Sequence, residues 1–230
     1  MILTYSLNEI IKHVESENYL HISFDYWNTI VESNIDFKIK RAELIRSKFK
    51  SPPNIQSITE TFSSIGKAYN DKIEAGHELC TPIDLLRQVL MTLDNGASIN
   101  VQEVYADCLT IFNEFSPIFK DPLIKDILQY LRNNKKRISI TSNTAFIPGS
   151  SLRLNLKKTG LTDFFDFMLF SDEINCAKPS YAIYSLVYRN AISFSKNHIT
   201  RKSQVLHVGD NIKSDYHGAL EFGLKAILIK

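Results

Sequence analysis

Apolar residues in the second half of the chain follow two alternating patterns. Stripes with apolar residues three or four positions apart predict helices, the first of them at Leu123, Ile124, Ile127, Leu128 and Leu131. Further helices are predicted over residues 147–158, 179–191 and 212–222. Gly223 follows the last of these helices and is suited to its C-cap.

Between the helices lie short runs rich in β-branched and aromatic residues, which predict strands. They cover residues 137–141, 165–170, 204–208 and 225–229, and an earlier run covers 19–24. Strands that alternate with helices are typical of an α/β fold with a doubly wound parallel sheet and right-handed crossovers.

The stretch from residue 32 to residue 117 shows no convincing strand pattern and predicts successive helices. One helix carries an apolar stripe at Ile58, Phe62, Ile65, Tyr69 and Ile73. Another begins after Thr81 as the cap, with Pro82 in the first helical position. Because these apolar faces can bury one another, we predict a helical domain at 32–117 inserted into a sheet domain formed by 1–31 and 118–230.

A short amphipathic helix is predicted before the first strand, from the spacing of Leu7, Ile10, Ile11 and Val14. We expect this helix to pack on the outside of the sheet.

Composition and charge exclude several classes of protein. The chain is 44% apolar and 23% charged, which is ordinary for a globular protein, and its net charge of +2 is too small to indicate nucleic-acid binding. No apolar run approaches the roughly 18 residues of a membrane span. The amino terminus does not resemble a signal peptide, and the 3 cysteines lack metal-ligand spacing. We therefore expect a cytoplasmic protein.

Polar residues follow four of the predicted strands, at the edge of the sheet where ligands bind in open α/β folds. They are Asp25, the pair Ser142-Asn143, Lys178, and Asp210 with Asp215. Each has an ordinary explanation as a turn, cap or surface residue. Their joint occurrence after successive strands indicates a functional site.

The residue types suggest phosphate chemistry. Asp25 and Asp210 are oxygen ligands suited to Mg²⁺, and a backbone carbonyl just after Asp25 would add another ligand. With its charge masked by the metal, Asp25 could attack phosphorus to form an aspartyl phosphate. Ser142, with the adjoining backbone N–H groups, could hold a phosphoryl oxygen, and Lys178 would neutralise the transferring group. Asp215 would be a second metal-site carboxylate or would orient water around the ion.

These motifs resemble those of the haloacid dehalogenase (HAD) superfamily. They are Phe24-Asp25-Tyr-Trp-Asn-Thr29, Ser142-Asn143, Lys178-Pro179 and Gly209-Asp210-Asn-Ile-Lys-Ser-Asp215. The resemblance implies a Rossmann-like core and identifies the helical insert as a cap domain. It also implies that Asp25 is the nucleophile, that Ser142 and Lys178 bind phosphate, and that Asp25, Asp210 and the Trp27 carbonyl bind magnesium.

One position departs from the pattern of the family's phosphatases. These enzymes usually carry a second aspartate two residues after the nucleophile, which protonates the leaving group and then activates water. Trp27 occupies that position here. Its indole has one N–H donor and no basic site, so it cannot perform acid–base catalysis. Its place beside the nucleophile still makes it a candidate substrate contact, together with Asn143.

Three functions are compatible with these residues. The expected one is a Mg²⁺-dependent phosphatase or phosphotransferase that acts on a small phosphorylated compound as a monomer or homodimer. An alternative, prompted by Trp27, is a non-catalytic binding or regulatory protein that keeps the fold. The third is a dehalogenase-like enzyme in which Asp25 attacks carbon. His21 and His207 lie inside predicted strands, where a structural role is expected rather than a catalytic one.

Overall fold

The computed structural model describes residues 4–5, 7–94, 99–195 and 198–229. In chain order the helices and strands within these ranges are β1 (Thr4–Tyr5), α1 (Leu7–Ser16), β2 (His21–Phe24), β3 (Val31–Glu32), α2 (Ile35–Ser47), α3 (Ile55–Glu74), α4 (Pro82–Asp94), α5 (Val101–Glu114), β4 (Ile118–Phe119), α6 (Ile124–Asn133), β5 (Arg137–Ser142), α7 (Gly149–Lys158), β6 (Phe167–Phe170), α8 (Ser171–Ile174), α9 (Tyr181–Phe194), β7 (Val205–Gly209), α10 (Gly218–Phe222) and β8 (Lys225–Ile229).

Six of the strands form one sheet in the order β1-β8-β7-β2-β5-β6, and every pair of neighbours is parallel. This confirms the predicted doubly wound α/β fold. Strand β1 was not predicted, because two residues are too short to show a pattern. No helix in the described ranges is long and apolar enough to cross a membrane.

Strand β2 lies inside the sheet, between β7 and β5, and all four of its residues are buried. Strands buried on both faces are expected to be apolar throughout. Yet His21 and Ser23 lie on one face of β2 and alternate with Ile22 and Phe24 on the other. The polar residues of that face lead directly to Asp25.

Several predicted boundaries differ from the structure. The strand expected at 165–170 begins at Phe167, because residues 162–164 form a 3-10 turn. The helix expected from Pro179 begins at Tyr181, with Ser180 as its cap. The helix expected over 212–222 consists of a π-helical turn, Ile212–His217, followed by α10. Gly223 adopts the left-handed conformation after α10, as predicted.

Helices α2 to α5 pack through a common apolar core. Its buried residues are Ala42, Ile45, Ile58, Phe62, Leu86, Val89, Leu90, Val104 and Cys108. Asparagine side chains cap α2, α3 and α5 by accepting backbone N–H bonds. Thr81 Oγ1 accepts the Asp84 N–H at 3.2 Å, so the predicted cap of α4 is confirmed.

The chain divides into two compact units. The first comprises Met1–Glu32, Phe119–Asn143 and Leu156–Lys230, and the second comprises Ser33–Ile118 and Thr144–Asn155. From the sequence, residues 144–155 are expected in the sheet domain. Phe146 explains the difference, because its ring lies 5.0 Å from that of Phe62 and its side chain packs against the core of the helical unit. Ile10 and Val14 of α1 are buried, whereas the side chain of Leu7 lies outside the described residues.

Asp166 fixes the start of β5. Its Oδ2 accepts hydrogen bonds from Arg132 at 2.9 Å and from the Ile138 N–H at 3.0 Å, and its Oδ1 accepts one from Arg137 at 2.8 Å. The carboxylate is buried, whereas both arginines are partly exposed. One side chain therefore satisfies a strand N–H and two guanidinium groups.

Replacing Asp166 with asparagine is expected to lower the free energy of unfolding by about 1–3 kcal/mol, because the amide NH₂ would face donors that now bind a carboxylate. Urea unfolding followed by circular dichroism measures the change. Asp126→Asn, at an exposed position on α6, is the matched control and should change the stability by no more than about 0.5 kcal/mol. Equal effects of the two substitutions would contradict this role of Asp166.

Candidate active site

Asp25 follows the last residue of β2, and its carboxylate is almost fully buried. Its backbone N–H donates to the Val208 carbonyl at 2.8 Å, which ties its main chain to β7. Burial raises the pKa of Asp25 to about 6, and Lys178 opposes that rise. Its Oδ1 accepts a hydrogen bond from Lys178, and no group in the described residues donates to Oδ2. One carboxylate oxygen is thus left for a ligand.

Lys178 joins two carboxylates. Its Nζ donates to Asp25 Oδ1 at 2.7 Å and to Asp215 Oδ1 at 2.5 Å, and the side chain is 2% exposed. Burial by itself would lower the pKa of Lys178, but Asp215 and Asp25 outweigh burial and raise it. The ammonium group therefore stays charged, and it holds Asp25 toward the ionised form.

Asn143 fixes the main chain of Lys178. Its side-chain oxygen accepts the Lys178 N–H at 2.8 Å, and its side-chain NH₂ donates to the Lys178 carbonyl at 2.8 Å. This pair of bonds links the residue after β5 to the loop that follows α8. From the sequence, Asn143 is a candidate substrate contact, and in the structure its side chain binds the main chain of Lys178.

Asp215 lies in the π-helical turn after β7, where Asn211 caps the turn by accepting the N–H groups of Lys213 and Ser214. Both carboxylate oxygens of Asp215 accept hydrogen bonds. Oδ2 accepts the Asn211 N–H at 3.0 Å, while Oδ1 accepts Lys178 Nζ and, at 3.0 Å, His207 Nε2. Burial would raise the pKa of Asp215, but Lys178 and His207 outweigh burial and hold the pKa well below its usual range.

Gly209 makes room for this carboxylate. A Cβ atom at position 209 would lie 2.2 Å from Asp215 Cγ, which is far inside van der Waals contact. Glycine is therefore required here by the close approach of a side chain, since its φ is not positive. The end of β7 and the following turn are packed as one piece.

Asp210 lies at a more open position and is half-buried. Burial, together with the charge of Asp215, raises the pKa of Asp210. Its Oδ2 accepts a hydrogen bond from Asn28 Nδ2 at 3.2 Å, and the Asn28 carbonyl in turn accepts one from Lys120 Nζ at 2.6 Å. Asn28 has a φ of 52°, a left-handed conformation that asparagine tolerates better than most residues.

The three aspartates form a cluster that suits a metal ion. One oxygen each from Asp25, Asp210 and Asp215 can be chosen so that all lie within 4.8 Å of one another. Three carboxylates and one ammonium group leave an excess of two negative charges when all are ionised. Hard oxygen donors with that excess fit a divalent cation such as Mg²⁺. Because the oxygens of Asp215 already accept protein donors, Asp25 and Asp210 are the better direct ligands.

Trp27 and Ser142 complete the set of predicted residues. Trp27 is half-buried, and its ring lies edge-on to Tyr26 with centroids 5.3 Å apart. Ser142 is the last residue of β5 and is fully buried, and its Oγ makes a long contact of 3.4 Å to the Asn143 carbonyl. Trp27 lies two residues after Asp25, and Ser142 directly precedes Asn143, which binds the main chain of Lys178.

His207, for which the sequence predicts a structural role, also forms a hydrogen bond with Asp215. Its Nδ1 lies 3.1 Å from Ser23 Oγ, which in turn lies 2.9 Å from Thr141 Oγ1. A signal was present in the sequence, since polar residues alternate with apolar ones in strands expected to be buried on both faces. These polar side chains form one buried row that contacts Asp215 through His207.

Many solved structures share this fold, and two of them illustrate the likeness. The magnesium-bound HAD-hydrolase YfnB of Bacillus subtilis has a TM-score of 0.67 and 18% identity, with 91% of this chain and 88% of that chain covered. The L-2-haloacid dehalogenase of Xanthobacter autotrophicus has a TM-score of 0.60 and 19% identity, with 90% and 76% covered. At such identities the likeness concerns the fold.

Sequence comparison gives the family. The chain is 32% identical to the pyrimidine 5'-nucleotidase YjjG of Escherichia coli (strain K12) over 98 residues, which are 43% of this chain and 39% of the nucleotidase. The match thus spans less than half of that relative's length. The family model for haloacid dehalogenase-like hydrolases matches residues 55–229, most of the chain. The protein therefore belongs to the family of haloacid dehalogenase-like hydrolases.

Proposed function

We propose that the protein is a Mg²⁺-dependent phosphatase or phosphotransferase that forms an aspartyl phosphate on Asp25. The observation that supports this most directly is the geometry of Lys178, whose ammonium group binds Asp25 and Asp215 within a cluster of three carboxylates. The similarity to a nucleotidase favours phosphate esters as substrates. The proposed substrate is a small phosphorylated compound in the cytoplasm, a setting that suits three free cysteines.

The chain's own residues would act as follows. Asp25 attacks phosphorus with the oxygen that does not bind Lys178, a P–O bond to the carboxylate forms, and the P–O bond to the leaving group breaks. Lys178 stabilises the negative charge on the transferring phosphoryl group, and Asn143 keeps the lysine in place. Water then attacks the acyl phosphate, which releases phosphate and regenerates Asp25. In the phosphotransferase reaction an acceptor hydroxyl replaces that water.

Asp25 and Asp210 would hold Mg²⁺, with the Trp27 carbonyl as a further ligand, and Asp215 would support the site from behind. When bound, the ion would neutralise charge on the phosphate and on Asp25. The raised pKa values of Asp25 and Asp210 are consistent with carboxylates that need such a cation.

Trp27 restricts which esters such an enzyme can cleave well. An indole cannot donate a proton to an alkoxide, so the leaving group must depart as an anion or take its proton from water. Aryl and acyl phosphates have leaving groups that are stable as anions. We therefore propose that these compounds are cleaved faster than alkyl phosphates.

The first experiment measures phosphate release from a panel of aryl, acyl and alkyl phosphates, with Mg²⁺ or with a chelator. Wild-type protein is expected to release phosphate only with Mg²⁺. In Asp25→Asn the rate of phosphate release is expected to fall at least about 1,000-fold, because the amide cannot attack phosphorus. Asp126→Asn is the matched control at an exposed site. Silence of the wild type on the whole panel would contradict the proposal, and halide release from 2-haloacids in chelator would favour a dehalogenase instead.

A second experiment tests the role of position 27. Trp27→Asp is expected to raise the turnover of alkyl phosphates by about 10- to 100-fold, part of the range of 10²–10⁴ that a positioned general acid contributes. Aryl phosphates should gain much less, because their leaving groups do not need the proton. Trp27→Asn is the control, because asparagine has the same size as aspartate and lacks the titratable carboxyl group. If the two variants are equally active on alkyl phosphates, the missing acid does not limit the reaction.

A further inference from the structure

We propose that His207 is a positioning residue of this site, which acts through Asp215 to hold Lys178 against Asp25. This inference rests on the proposed function for its kinetic part only. It starts from the contacts of a histidine that lies inside β7 and is fully buried.

The surroundings of His207 leave its ring little freedom. Nε2 lies 3.0 Å from Asp215 Oδ1, and Nδ1 lies 3.1 Å from Ser23 Oγ on the neighbouring strand. Tyr184 of α9 packs edge-on against the imidazole, with ring centroids 5.4 Å apart and an interplanar angle of 79°. Two hydrogen bonds and one ring contact, from three different elements, therefore hold the imidazole.

The partners determine which nitrogen carries the proton. An ionised carboxylate only accepts hydrogen bonds, so Nε2 must carry the proton that it donates to Asp215. In a neutral imidazole Nδ1 is then the acceptor, which requires the Ser23 hydroxyl to donate to Nδ1 and the Thr141 hydroxyl to donate to Ser23 in turn. The structure thus assigns His207 the Nε2–H tautomer.

Asp215 depends on this donor for its orientation. Its Oδ1 accepts two hydrogen bonds, from Lys178 and from His207, and its Oδ2 accepts the N–H of Asn211. Tyr184 supports the same turn, because its hydroxyl donates to the Ser214 carbonyl at 2.5 Å. Without His207 the lysine would be the only donor on Oδ1, and Asp215 and Lys178 would be free to shift together, away from Asp25.

Removing the His207 donor is expected to lower kcat and to leave substrate affinity unchanged. Lys178 acts on charge that develops as the phosphoryl group transfers, so a displaced lysine weakens transition-state stabilisation. Loss of a partner that orients a functional group in this way typically costs 10- to 100-fold. His207 contacts neither Asp25 nor Asp210 by any hydrogen bond in the described residues, so Mg²⁺ affinity should change far less.

The variants His207→Gln and His207→Met test this role. Glutamine places an N–H donor near the position of Nε2, whereas methionine has similar length and no donor. We expect the glutamine variant to keep kcat within about fivefold of the wild type and the methionine variant to lose about 10- to 100-fold, with KM and Mg²⁺ affinity little changed in both. Equal kcat values in the two variants, or losses that only follow their melting temperatures, would overturn the proposal.

A spectroscopic measurement on the wild type does not depend on turnover. Among the 6 histidines, the ¹⁵N signals of His207 are identified as those missing from His207→Gln. We expect an Nε2–H tautomer whose Nε2 proton resonance shifts in Asp215→Asn. An Nδ1–H tautomer would overturn the proposal. If the tautomer is as expected and the wild type releases no phosphate, the proposed function fails while the contact between His207 and Asp215 stands.

Discussion

The site depends on one interaction, the binding of two carboxylates by the buried ammonium group of Lys178. Two aspartates brought this close inside a protein repel each other, and each loses hydration. A single cation that binds both removes the repulsion between them, but no cation among the described residues forms an ion pair with Asp210, the third aspartate of the cluster. The protein thus supplies one positive charge and leaves room for a divalent ion.

The structure around Lys178 provides stiffness rather than additional charge. Asn143 holds the lysine's main chain, Asn211 holds one oxygen of Asp215, and His207 holds the other. These contacts come from the residue after β5, from β7 and from the turn that follows β7. A buried ion pair is weak support for stability, and this one is better explained by the need to present a charge at a fixed position.

Much of the fold and part of the site could be predicted from sequence, because parallel strands bring their carboxyl ends to one edge. This rule led to Asp25, Lys178, Asp210 and Asp215 without any structure. It could not reveal what each side chain contacts, so neither the bonds between Asn143 and the main chain of Lys178 nor the bond between His207 and Asp215 could be predicted. The predicted first residue of α9 was also wrong, because Pro179 and Ser180 both suit the start of a helix. The structure uses Ser180 as the cap, and the helix begins at Tyr181.

The contact between Gly209 and Asp215 has a consequence for how this site can be altered. The carboxylate occupies the space that any side chain at position 209 would need. Selection from a library that varies position 209 alone would therefore return glycine. Selection at position 215 alone would return only side chains that fit against the backbone of Gly209. New solutions for this end of β7 become reachable only when both positions vary at once.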